Sequence, residues 1–361
     1  MSRIFNVAIV GAGIGERHAV AFERLRDRFA VALICDADMA RGAKLADQLA
    51  AAGLQRPALA ADYRDAAVVA PTIDIVDICI PPWLHFDAMK VAIAGGKQVV
   101  CEKPLAASLS ELDEIERLAA ARGVKVMPVF QYRFGHGLAK AKRLMTTGSA
   151  GKVYLTTIET HWTRGQDYYA VKWRGQKATE LGGLLAGHAI HAHDILTHLL
   201  GGVRAVNAMT AVRVNQIETE DCAGALVEMA DGSIAVSSAT LGSADEISRI
   251  RIMCENVTMV SSLGPYTPNR DPWTFLPKAP KDQAFLDAVL AGAVLGEEGY
   301  TEQFAGYHAS LTGSVPLPIT WADGRQSIEL LTALYHATAT GQKVSLPLDA
   351  SHPAYKGWLA A

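Results

Sequence analysis

Three glycines crowd the five-residue turn Gly11-Ala12-Gly13-Ile14-Gly15, directly after the apolar run 7–10. Glycines at a strand end let the backbone turn sharply and approach a pyrophosphate, which then sits on the N-terminus of the next helix. A second short run, Cys101-Glu102-Lys103-Pro104, follows the apolar stretch 98–101 and brings a lysine to the carboxyl edge of the same sheet. The first motif points to a dinucleotide, the second to a charged group held where that dinucleotide reacts. Asp36 ends the second apolar run, about where an acidic residue bonds ribose hydroxyls; a turn or helix-cap role is the alternative. A carboxylate there repels a 2′-phosphate, so NAD is expected over NADP, with Arg41 the neighbour able to accept that phosphate. Glu16 stands where the fingerprint's third glycine is usual.

Other residues join this edge. Ile80-Pro81-Pro82-Trp83-Leu84-His85 ends the next strand with a proline pair that shapes a crevice wall; His85 opens a helix and either bonds locally or faces the crevice. Lys103 is restrained by Pro104, whose ring holds the preceding residue extended. A lysine beside a cationic nicotinamide has its pKa depressed by like-charge repulsion and desolvation, so it exchanges or polarises a hydroxyl proton; a plain surface lysine is the alternative. Further along, a helix at about 184–200 carries His188, His191, Asp194 and His198 within an arc of roughly 120°, with His193 pointing elsewhere. Oxidising an alcohol needs a base near neutrality, which histidine provides. The His188-x-x-His191-x-x-Asp194 spacing is also a conceivable ligand set, but helical ligand pairs favour i,i+4 and no further ligand cluster is evident, so no metal is expected. Just before a Gly182-Gly183 pair come His161-Trp162-Thr163-Arg164, Asp167-Tyr168-Tyr169 and Trp173-Arg174. Aromatic faces with polar neighbours suit a sugar ring, and equally an interface.

The elements that must position these groups are legible in outline. Over 4–130, strands at 6–10, 30–35, 75–80, 98–101 and 124–129 alternate with helices at 18–26, 40–51, 83–94 and 110–121. That alternation predicts a doubly wound parallel sheet, a Rossmann domain over 1–130. Ser108 with Glu111 forms a capping-box pattern. The pattern changes after about residue 150, and 131–361 is expected to form an α/β domain with a large, mainly antiparallel, open-faced sheet. Strands are expected at 153–162, 203–214, 223–229, 233–238, 248–253 and 257–260, the segment 261–280 is a loop, and helices follow near 281–291, 299–312 and 323–340.

Composition limits the partners. The 361 residues are 50% hydrophobic and 20% charged with net charge −3, values of a globular chain with no basic block for nucleic acid. No run approaches the ~20 apolar residues of a membrane helix, and a first strand starting by Ile4 leaves no room for a signal peptide, so a cytoplasmic location is expected. The five scattered cysteines read as core residues in a reducing compartment, and the lack of a CxxC pair excludes a zinc ribbon.

Several motifs, in order along the whole chain, resemble the Gfo/Idh/MocA oxidoreductases, the family of glucose–fructose oxidoreductase and inositol dehydrogenase. They are the glycine turn running to His18, Asp36, Pro81-x-x-x-His85, Gly96-Lys97 leading to Glu102-Lys103-Pro104, Tyr132-Arg133-Phe134, Trp173-Arg174, Gly182-Gly183, His191-x-x-Asp194, Asp323-Gly324-Arg325, and the stretch from Thr340-Gly341 to Leu346-Pro347. The resemblance implies an NAD-dependent dehydrogenase of a sugar, sugar derivative or cyclic polyol, with Lys103, His191, His188 and Asp194 as its catalytic group. It implies cofactor contacts from Gly11, Ala12, Gly13, Ile14, Gly15, Asp36, Arg41, Ile80, Pro81, His85, Glu102, Lys103, Gln131, Trp173 and Arg174. Substrate contacts are expected from Lys103, His188 and His191 and, on the aromatic loop, from Arg164 and Tyr168, and the resemblance implies a homodimer or homotetramer for the assembly. Gly187 departs from the pattern, since polyol dehydrogenases of the family usually carry aspartate there. Two rival functions are glycoside cleavage through transient oxidation with tightly held NAD, and a non-catalytic nucleotide-binding sensor.

Overall fold

The computed structural model describes residues 3–313 and 315–358. The chain divides into two compact units, one built from residues up to Phe130 together with Tyr300–Arg325, the other from Gln131–Gly299 together with residues from Gln326 onward.

Among the described residues, the first unit holds six parallel strands: β1 (Phe5–Val10), β2 (Phe29–Cys35), β3 (Ala58–Ala60), β4 (Ile75–Ile78), β5 (Gln98–Cys101) and β6 (Val126–Pro128). They lie in the order β3-β2-β1-β4-β5-β6. All four residues of β4 are buried, as a strand covered on both faces requires. The order reverses between β1 and β4, so the turns after these strands open a crevice at the carboxyl edge. The first helix spans Gly15–Arg24 and starts earlier than the expected 18, because the glycine turn passes straight into it. Pro82–Leu84 forms a 3₁₀ turn, leaving His85–Ala94 as the helix. The Ser108 hydroxyl accepts the Glu111 N–H at 3.1 Å, while the Glu111 carboxylate accepts from Ala107 rather than from the cap residue itself.

One expectation is corrected here. Helix Tyr300–Thr312 was read with the second domain, but it packs on the first helix: the rings of Phe304 and Phe22 stack at 4.5 Å, and Tyr307 is fully buried. Burial of these aromatics is a tertiary event that no local pattern announces.

The second unit carries β7 (Val153–Thr163), β8 (Val203–Ala211), β9 (Cys222–Met229), β10 (Ile234–Thr240), β11 (Gly242–Cys254), β12 (Val257–Val260), β13 (Thr274–Pro277) and β14 (Val344–Ser345). Their order is β13-β12-β11-β7-β10-β9-β8-β14, antiparallel except for the β7–β10 pair. Alternation is clean along β10, where Ala235, Ser237 and Ala239 are buried and Ile234, Val236 and Ser238 are exposed. Helix His136–Thr146, absent from the sequence expectation, joins Ile190–Leu200 over the buried face; Leu138, Leu144, Ile195, Leu199, Ile250, Ile252 and Met259 form the core there. Two further corrections concern strands. The expected loop 261–280 contains β13, which pairs with β12 at a sheet edge where Pro277 is tolerated. β8 ends before 214 because the Asp221 carboxylate draws the N–H groups of Arg213, Val214 and Asn215 away from the ladder, at 2.7, 3.0 and 2.7 Å. Among the described residues no helix is long and apolar enough to cross a membrane.

Candidate active site

The glycine turn is built to exclude side chains. Gly11 has φ +101°, and a Cβ there would lie 2.5 Å from the Cys79 carbonyl oxygen; one at Gly15 would meet Ile9 at 2.7 Å. Gly13 is different, since a Cβ there would enter open space. Ile14 precedes the first helix without a capping side chain; the Glu16 and Arg17 N–H groups bond back to the Gly13 and Ile14 carbonyls, and among the described residues no side-chain oxygen caps the helix start where an anion would sit. Asp36, at the end of β2, accepts from Ala12 N at 2.7 Å, Asp38 N at 2.8 Å, and Arg41 Nε and Nη2 at 3.0 and 2.7 Å. Burial raises its pKa, but the Arg41 guanidinium and the two backbone donors outweigh that and hold the carboxyl below its usual range. This turn, the uncapped helix start and the acidic strand end fit a dinucleotide.

The Lys103 corner is tied down by two histidines. The His85 ring is buried, with Nε2 and Nδ1 each 2.8 Å from a carbonyl oxygen, those of Ile80 and Pro104. Burial lowers its pKa. It therefore joins the proline wall to the Lys103–Pro104 segment. The Lys103–Pro104 peptide is cis, and the Lys103 N–H donates to Glu102 Oε2 at 3.0 Å. Beneath lies a cluster that sequence reading missed. His18 Nδ1 is 2.9 Å from Asp77 and 3.3 Å from Cys79 Sγ, and Nε2 is 3.1 Å from Glu102 Oε1. A carboxylate inside the apolar run Ile75-Val76-Asp77-Ile78 was the available signal, since a buried charge needs a partner. His18, Asp77 and Cys79 are close enough to share a cation, but both imidazole nitrogens already face carboxylates and burial pushes the thiol pKa up, away from the thiolate a metal needs.

In the second unit, the glycine pair seats the start of the histidine helix. Gly182 has φ +131°, and a Cβ on Gly183 would collide with the Glu220 carbonyl. Glu220, also unforeseen, accepts from Gly183 N at 3.0 Å, Leu185 N at 2.9 Å and the Tyr335 hydroxyl at 2.8 Å. Leu185–Ala189 then form a π turn, a feature frequent at functional sites. His188 lies in this wider turn, and His191 and Asp194 in the regular helix that follows. His188 meets Trp162 edge-on at 5.1 Å and lies 3.3 Å from the Tyr168 hydroxyl. His191 stacks on Tyr132, ring centroids 4.3 Å apart. Asp194 is bound by Arg133 at 2.7 and 2.9 Å. His193 reaches Ser237 on β10 at 2.9 Å, and the His198 carbonyl accepts from Lys142. A Cβ at Gly187 would meet nothing within 4 Å, so the position has room for the family's aspartate.

The aromatic and basic loop converges on His188. Arg164 lies 5.3 Å from the Trp162 and Tyr168 ring centroids, and bonds Glu246 at 2.8 Å and the Tyr266 hydroxyl at 2.9 Å. Arg174 covers Tyr168 at 4.0 Å and Trp173 at 4.2 Å. Burial pushes the Tyr168 phenol up to about 12, so it stays a donor. The structure thus brings Arg164, Tyr168 and His188 together with Trp173 and Arg174, and with Glu246 and Tyr266, which the sequence analysis does not single out. Gln131 opens the 3₁₀ turn Gln131–Arg133 that carries Tyr132.

Comparison with known proteins agrees in kind. Residues 5–130 match an oxidoreductase family, NAD-binding Rossmann fold, of the Gfo/Idh/MocA group, and residues 138–260 match the Gfo/Idh/MocA C-terminal domain. An uncharacterised oxidoreductase of Synechocystis is 30% identical over 58% of this chain and 54% of its own length. Levoglucosan dehydrogenase of Pseudarthrobacter phenanthrenivorans is 29% identical over 56% of this chain and 53% of its own length. The chain therefore spans about half the length of these curated relatives. The WlbA dehydrogenase of Bordetella pertussis, solved with NADH and UDP-GlcNAcA, superposes with a TM-score of 0.84 at 26% identity, covering 97% of this chain and 100% of that one.

Proposed function

Because the chain belongs to the Gfo/Idh/MocA family of NAD-binding oxidoreductases, we propose that it transfers a hydride between nicotinamide and a hydroxyl-bearing carbon of a sugar, sugar derivative or cyclic polyol. The observation that carries this reading is the cluster of Trp162, Arg164, Tyr168 and His188, whose aromatic faces and polar edges match a ring that is apolar on one side and hydroxylated at its rim. Relatives named for levoglucosan and for a nucleotide sugar support the same substrate class.

The bound dinucleotide supplies the redox chemistry. The glycine turn and first helix start hold its pyrophosphate, and Asp36 selects NAD over NADP at the ribose. Lys103 polarises or exchanges the hydroxyl proton, and His191 serves as the base. His188, with Tyr168, binds substrate hydroxyls. Asp194 holds Arg133 and contributes position rather than proton transfer.

Absorbance of NADH across a panel of sugars, inositols and glycosides tests the reading. Lys103→Met and His191→Asn are expected to keep NAD affinity and lose ~10²–10⁴-fold in turnover on any sugar the unaltered protein oxidises. Full turnover in His191→Asn with loss in His188→Asn would move the base to the π turn. Full turnover in all three variants overturns the catalytic assignment, and sugar release from a glycoside without net NADH favours transient oxidation.

A further inference from the structure

We propose that His18 and Glu102 are positioning residues for Lys103, acting as a buried relay that runs from the first helix to the Lys103 backbone. The inference rests on the reading of Lys103 given above and extends it to groups that do not touch substrate. Glu102 uses its two oxygens for different tasks: Oε2 accepts the Lys103 N–H at 3.0 Å, while Oε1 faces His18 Nε2 at 3.1 Å and accepts the Tyr300 hydroxyl at 3.2 Å. His18 is fixed from its other side by both oxygens of Asp77, at 3.0 and 2.9 Å. Its side chain is wholly buried, and the Tyr300 and Phe304 rings close over it at 4.5 and 5.1 Å.

Carboxylates cannot donate when ionised, so an imidazole lying between two of them satisfies both only as the doubly protonated ring. Burial pulls the His18 pKa down, but Asp77 and the neighbouring Cys79 raise it further, to well above its ordinary value. The groups facing it are Asp77 on β4, Cys79 after it, Glu102 after β5 and Tyr300 on helix Tyr300–Thr312. The charge sits between two strand ends that also bound the crevice. A buried ion triad is a costly way to fill space and a good way to fix one geometry. Here the fixed object is the carboxylate that orients the peptide bearing Lys103.

The test uses the full chain. Pyridoxal 5′-phosphate followed by borohydride labels accessible lysines, and peptide mass spectrometry reads Lys103 against exposed Lys44 in the same sample. In both His18→Gln and Glu102→Gln, labelling of Lys103 relative to Lys44 is expected to fall about fivefold or more, and kcat about tenfold to a hundredfold, with NADH affinity within about threefold. The double variant should lose little more than either single one, because both act through one chain of contacts. If His18→Gln does not fold, near-isosteric Glu102→Gln and Tyr300→Phe carry the measurement. In ¹⁵N spectra of the unaltered protein the His18 ring is expected to be doubly protonated at pH 7; a neutral ring there overturns the relay. Lys103→Met with full turnover overturns the role of Lys103 and the proposal with it. Loss of turnover in Lys103→Met, with labelling and kcat unchanged in the His18 and Glu102 variants, overturns the positioning alone.

Discussion

The Asp194 carboxylate grips the Arg133 guanidinium through two hydrogen bonds, 2.7 and 2.9 Å long, with side-chain exposures of only 1% and 6%. Such a pair holds the 3₁₀ turn with Tyr132 against the helix that carries His191, whose ring stacks on that tyrosine. Removing one partner leaves a buried charge uncompensated, at a cost of about 3–5 kcal/mol. Asp194→Asn should therefore show a large loss of stability in urea unfolding, and Arg133→Gln added to it should restore part of that loss. A stability unchanged in Asp194→Asn would overturn this account of the pair.

Asp36 makes two measurable promises. With its carboxylate removed, the preference for NAD should shrink, so Asp36→Ala should bring the two dissociation constants together; an unaltered protein that binds NADP more tightly would overturn the assignment. The second promise concerns acid. The folded carboxyl titrates below its ordinary value, so its stabilisation is complete above about pH 4 and disappears as pH falls through the folded pKa. Below about pH 4 the unaltered protein should lose stability more steeply than Asp36→Asn. Parallel losses would mean that Arg41 and the two backbone donors contribute nothing net.

The parallel sheet was legible because its strands are continuous apolar runs separated by amphipathic helices, and the glycine turn and Lys103 corner follow from the ends of those runs. β3 escaped because three residues at a sheet edge carry no periodicity, and β13 because Thr274–Pro277 is half-exposed and ends on a proline. The π turn left no trace, since Leu185–Ala189 has the composition of an ordinary helical turn while the backbone widens it. His188, within that turn, meets Tyr168, while His191 in the following helix stacks on Tyr132. Partnerships such as Glu220 with the glycine pair span distant sequence positions, and only folding pairs them. Asp77 is the instructive miss, because a charge within an apolar strand already demanded a buried partner such as His18.

The second sheet exposes an apolar row. Ile234 opposes Leu155 and Val236 opposes Leu226 across neighbouring strands, with Met209 and Leu276 on the same face. Met209 is 76% exposed and Leu226 53%, unusual values for large apolar side chains held in register on one sheet. A second copy of the chain is the expected cover. Light scattering at micromolar concentration should give a homodimer or homotetramer, and Leu226→Glu with Ile234→Glu should give a monomer of unchanged circular dichroism. A monomeric unaltered protein would assign this face to another partner.

His193 supplies the clearest pH dependence. It is buried beneath β10, its Nε2 is 2.9 Å from the Ser237 hydroxyl, and its Nδ1 has no hydrogen-bond partner among the described residues. Burial alone lowers its pKa from 6.5 to about 4. The unfolded chain therefore takes up a proton near pH 6.5, while the folded chain resists until about 4. Between those values the unfolded state binds more protons, so stability must fall as pH falls, by about 1.4 kcal/mol per pH unit for this one group. Below the folded value the slope due to this group vanishes. His193→Gln keeps a polar group facing Ser237 but does not titrate. Urea unfolding at half-unit steps from pH 7 to pH 4 should give a shallower decline for the variant, with the difference between the two curves reaching about 3 kcal/mol at the acid end. Curves that stay parallel through this range would show that the folded imidazole accepts its proton as readily as the unfolded one. The buried contact between the histidine helix and β10 would then be open to water.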